Sequence, residues 1–81
     1  MIKVKKMNKE KIKEILESSF DESSVAVDGG EGKYNAKIIY DGFVGMNTIE
    51  RHKKIYSVLD SYIKSGELHA ISLQTYTSDE V

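Results

Sequence analysis

Residues 42–77 read GFVGMNTIERHKKIYSVLDSYIKSGELHAISLQTYT, and their succession of turn, helix, stop and strand decides the fold. Asn47 and Glu50 have the N-cap and third-position spacing of a capping box, in which each side chain satisfies an amide that the first helical turn leaves free. Ile55, Leu59 and Ile63 then recur at spacings of four, a stripe along one helical face. Together these signals predict a helix over residues 48–65. Gly66 follows as a left-handed stop, since glycine takes positive φ without steric cost. From residue 68 to 76 the period changes to two, with His69, Ile71 and Leu73 on one side, which predicts a strand beginning at Leu68.

Towards the N-terminus the same two periods alternate. Asn8 caps a helix predicted over residues 8–19, whose Ile12, Ile15 and Leu16 share a face and whose Met7 and Ile12 form a hydrophobic staple. Residues 23–27 alternate, with Val25 and Val27 together, and Asp28-Gly-Gly-Glu-Gly32 is a turn. Residues 33–41 alternate again, with Tyr34, Ala36, Ile38 and Tyr40 on one face, so the two runs predict a β-hairpin. Beyond residue 76, Thr77 to Glu80 has capping-box spacing, but the chain stops one residue later and the tail is expected to fray. The predicted order is α-β-β-α-β, an α+β fold forming one domain over residues 1–81.

Composition narrows the function. A chain of 81 residues has room for one core and no large internal cavity. The 40% apolar and 31% charged fractions are those of an ordinary globular domain, and a net charge of −1 exerts no global pull towards nucleic acid or anionic lipid. There are no cysteines, so the chain offers no disulfide and no thiolate ligand of its own. The basic N-terminus is not followed by an apolar run of signal-peptide length, and no segment approaches a membrane span. A cytoplasmic protein is expected. No nucleophilic cysteine, P-loop or adjacent acid–base pair is evident, which argues against an enzyme.

Phe43-Val-Gly45-Met46, then Arg51-His52-Lys53 and Tyr56 on the helix, then Leu68-His69-Ala70-Ile71-Ser72 leading to Thr75-Tyr-Thr77, resemble the BolA family. The resemblance implies a fold similar to the class II KH domain, with both helices on one face of a three-stranded mixed sheet. It also implies a non-enzymatic partner of a monothiol glutaredoxin in iron–sulfur cluster handling. In that role the chain is a monomer alone and a heterodimer with its partner, and a 2Fe-2S cluster is shared with glutaredoxin and glutathione, with none bound by the isolated chain. The alternative implied by the family is a DNA-binding transcriptional regulator.

The residues give both roles a place. His69, directly after a glycine turn, is either a satisfied edge-of-core histidine or a ligand at the sheet end, and the resemblance favours the ligand. The family's second ligand comes from the hairpin loop, where this chain carries Lys33, normally an ammonium and a poor ligand for iron. Asp28 and Glu31 in that loop are hard carboxylates, read first as solvated turn charges. Arg51, His52, Lys53 and Lys54 form a basic cluster suited to phosphates or to an acidic partner, or else Arg51 and Lys54 are a solvated face answering Glu50 with His52 against the hairpin. Gly42-Phe43-Val44-Gly45 matches a KH-type GxxG only literally, since its central pair is apolar, and Phe43 is expected in the core.

Overall fold

The computed structural model describes residues 7–81; the basic start of the chain, residues 1–6, lies outside them. The element order is α1 (Lys9–Ser19), β1 (Ser24–Gly30), β2 (Lys33–Ile39), α2 (Thr48–Lys64) and β3 (Ala70–Tyr76), with short 3-10 turns at Asp41–Phe43 and Ser78–Glu80. Asn8 caps α1 by accepting the Lys11 amide at 2.8 Å. At α2 the Asn47 and Glu50 side chains cap one another's amides as a capping box. Gly66, at φ +83°, ends the turn after α2.

The sheet has the order β1-β2-β3, with β1 antiparallel and β3 parallel to the central strand β2. A two-residue turn can join the antiparallel pair, whereas the parallel pair needs the α2 crossover. Along β2 the alternation is strict: Tyr34, Ala36 and Ile38 are buried while Lys33, Asn35 and Lys37 are exposed. The buried set packs with Ile12 and Leu16 of α1 and Ile55 and Leu59 of α2 in a single core, so both helices cover one face. The opposite face is open and carries a shallow groove between Ala26, Asp28, Asn35, Lys37, Ser72 and Gln74. Phe43 is fully buried, as its apolar turn requires, while Val44 beside it is 70% exposed.

Three expectations need correction. The hairpin turn is Glu31-Gly32 alone, both at positive φ, because Gly29 and Gly30 continue the pairing opposite Tyr34 and Lys33. The third strand begins at Ala70, so His69 stands just before it. The C-terminal tail is docked: Thr77 is buried and Glu80 closes a capping box onto it. Its anchor is Arg51, whose guanidinium grips the Glu80 carboxylate. Among the described residues no helix is long and apolar enough to cross a membrane.

Candidate functional site

Because α2 runs between two parallel strands, it lies beside β3 and meets both ends of that strand. The Tyr76 carbonyl accepts the Tyr40 amide at 2.8 Å and so faces the interior of the sheet. Strand alternation then turns the carbonyls of Ile71 and Thr75 to the free edge. Two side chains of α2 cover them: Tyr56 Oη donates to Ile71 O at 3.0 Å and Arg51 Nη1 to Thr75 O at 3.3 Å. Such cover keeps an edge strand from pairing with other chains. Tyr56, 38% exposed, is therefore an edge clamp and does not pack beneath its helix.

Arg51 departs furthest from its expected role. It lies on the stripe of Ile55 and Leu59 and is 9% exposed. Its Nε donates to Met46 O at 2.9 Å, and Nη1 and Nη2 grip the two oxygens of Glu80 at 2.7 and 3.1 Å. The guanidinium also stands 5.6 Å from the Phe43 ring centroid. This two-pronged, charge-assisted contact matches the planar guanidinium fork. It holds the Glu80 carboxyl down at about 2, helped by the Thr77 amide. The neighbouring Asp41 carboxylate accepts the Ser78 amide and hydroxyl, both at 2.8 Å, and these two hydrogen bonds, the amide's first, lower its pKa. Arg51 thus belongs to a structural latch and leaves the basic face. Its spacing of four from Ile55 was the sequence signal for this, and Thr77–Glu80 spacing was the signal for its partner.

What remains of the basic face is His52, half-buried, with Lys53 and Lys54, both exposed and in no ion pair among the described residues. Ile49, one helical turn before Lys53, is 67% exposed.

His69 occupies the other end of β3. The register pairs Lys33 with Ala70, so Gly32 stands opposite His69. Gly32 O accepts the amides of both His69 and Ala70, each at 2.9 Å, which fixes the backbone at the hairpin tip. The imidazole is exposed, lies over Gly32, and has no hydrogen-bond partner in the side-chain network that engages Tyr56 and Arg51. Lys33, also exposed, starts β2 with the alternation of the open face, diagonal to His69. Glu31 sits at φ +55°, a left-handed conformation costing a residue with a side chain roughly 1–2 kcal/mol. Among the described residues no group of three or more His, Cys, Asp or Glu could enclose a metal ion. The donor set fits a single imidazole ligand to a metal held mainly by another molecule.

Comparisons with known proteins agree with this architecture. An uncharacterised protein from the rpoN-murA intergenic region of Acinetobacter guillouiae is 39% identical over 74 residues, covering 91% of this chain and 89% of that one. A BolA protein homologue from Coxiella burnetii superposes with a TM-score of 0.81 at 33% identity, covering 91% and 95% of the two chains. The BolA domain of SufE1 from Arabidopsis thaliana gives 0.80 at 35% identity, covering 89% and 93%. The family model for BolA-like protein matches residues 5–80, and with the α-β-β-α-β fold it establishes that the chain belongs to the BolA-like family.

Proposed function

We propose that this chain is a non-enzymatic adaptor that binds a monothiol glutaredoxin and takes part in iron–sulfur cluster assembly, trafficking or sensing. The observation that carries the reading is His69: a backbone-anchored, exposed imidazole whose ring makes no hydrogen bond among the described residues. A neutral imidazole can bind iron, and where it replaces thiolate it raises the potential of a 2Fe-2S centre. With no cysteine in the chain and Lys33 starting β2 directly after the hairpin turn, the remaining ligands come from glutaredoxin and glutathione. The cluster is then cargo of the heterodimer, and this chain contributes one ligand and a docking surface. Occurrence of a similar BolA domain as part of SufE1 supports use as an interaction module.

Reconstitution of a monothiol glutaredoxin with glutathione, iron and sulfide, with and without this protein, tests the reading. The expected result is a visible absorption and circular dichroism spectrum that differs when the protein is present. Identical spectra, together with no complex on gel filtration, contradict it.

Lys53 and Lys54, exposed and in no ion pair among the described residues, favour a second reading, DNA binding through the start of α2 with His52 beside them. With Arg51 held inside, two lysines neutralise about two phosphates, for a salt slope of roughly −1.8 in log–log form. A measured slope near −5 requires phosphate contacts that α2 alone does not supply. Unchanged affinity in the Lys53→Ala/Lys54→Ala variant removes this site.

A further inference from the structure

We propose that Gly32 is a positioning residue for His69: the absence of a side chain at the hairpin tip, and not only the positive φ, is what seats the imidazole at the sheet end. A Cβ built on Gly32 would stand 2.5 Å from His69 Cδ2 and 3.2 Å from Cγ. Non-bonded carbons rest at about 3.5–4.0 Å, so any other residue at this position forces the ring to turn away. The ring is exposed and free to turn, while the backbone remains hung on Gly32 O through two amides. A side chain at position 32 therefore redirects the imidazole without undoing the hairpin.

The molecule contains a matched control. Gly66 has φ +83°, against +82° at Gly32, yet a Cβ there meets nothing within 4 Å. Alanine at either position meets the same backbone strain, and only at position 32 does it also meet the histidine. For its functional consequence the inference rests on the ligand role proposed above; the seat of the ring is measurable without it.

The experiment compares the parent protein with Gly32→Ala, Gly66→Ala and His69→Ala. Gly32→Ala and Gly66→Ala are expected to lower the thermal midpoint by similar amounts. In the isolated parent, NMR should show cross-relaxation between the His69 ring and the Gly32 α-protons. In Gly66→Ala this contact should persist, and in Gly32→Ala the ring resonances should shift and the contact to residue 32 should be replaced by others. Reconstituted with glutaredoxin and glutathione, Gly32→Ala is expected to hold the cluster about tenfold more weakly, the scale typical of losing a ligand-orienting contact. Its spectrum should move towards that of His69→Ala, with Gly66→Ala matching the parent. Unmoved ring resonances in Gly32→Ala overturn the positioning role, and so does a cluster as strong and spectrally unchanged as in the parent. A ring that moves as expected while His69→Ala leaves the cluster unaffected sustains the seat and overturns the ligand reading alone.

Discussion

The two ends of β3 are built on opposite principles. At its C-terminal end Arg51 grips Glu80, Asp41 accepts from Ser78, and Phe43 lies beneath with Tyr40 edge-on at 5.1 Å. At its N-terminal end the backbone is also held, on Gly32 O, yet the His69 ring is left open to solvent. A charge that has been satisfied inside the fold contributes to architecture, whereas an ordered group left unsatisfied is available for a partner. Of the residues first grouped as candidates, this contrast moves Arg51 to architecture and leaves His69 exposed, as the proposed ligand role requires.

The largest test of the contrast is Phe43→Ala. Removing a fully buried ring beneath the latch should cost about 3–5 kcal/mol in denaturant unfolding, because the aromatic cluster with Phe20 and Tyr40 cannot close the gap. A cost below about 1 kcal/mol breaks the claim that the closed end is a rigid anchor.

Arg51→Ala should act next, releasing the tail and uncovering Thr75 O. Amides of Thr77, Ser78 and Glu80 should lose hydrogen-exchange protection, with the His69 and Ala70 amides unaffected. Loss of protection at both ends would mean that they are not independent.

Glu80 supplies a pH signature. Its carboxyl titrates near 2 in the folded chain against an ordinary 4.5, so its stabilising contribution is complete above pH 4.5 and lost as pH falls through 2. Relative to Glu80→Gln, the parent should therefore lose stability across that window. Parallel pH curves for the two proteins contradict the latch. The smallest effect on stability belongs to His69→Ala, within about 0.5 kcal/mol, since the ring is exposed. A larger loss would make His69 structural after all.

Much of the fold was legible in the residues because each element carries its own punctuation: Asn8, the Asn47–Glu50 box, Gly66 and the strict alternation of Tyr34, Ala36 and Ile38. Less legible were features made by tertiary contact. Arg51 reads as one of four consecutive basic or imidazole residues; its spacing of four from Ile55 puts it on the apolar stripe, but its partners Thr75 and Glu80 are supplied only by the packing of α2 against β3, while Lys53 and Lys54 are exposed. The tail, too short to persist as a helix alone, is ordered by a residue 29 positions away. His69 could be placed at a sheet end from its glycine turn, but its resting place over Gly32 follows from the parallel register of β2 and β3, which no local pattern encodes.

The central claim, that His69 is the ligand this chain offers, is tested most directly by pulsed EPR on the reduced, reconstituted heterodimer with only the histidines of this chain labelled with nitrogen-15. Because the chain has two histidines, substitution assigns the signal. The account predicts a strong coupling to one labelled nitrogen that survives His52→Ala and disappears in His69→Ala. A cluster that forms in the complex with no labelled-nitrogen coupling, or with a coupling that persists in His69→Ala, contradicts it.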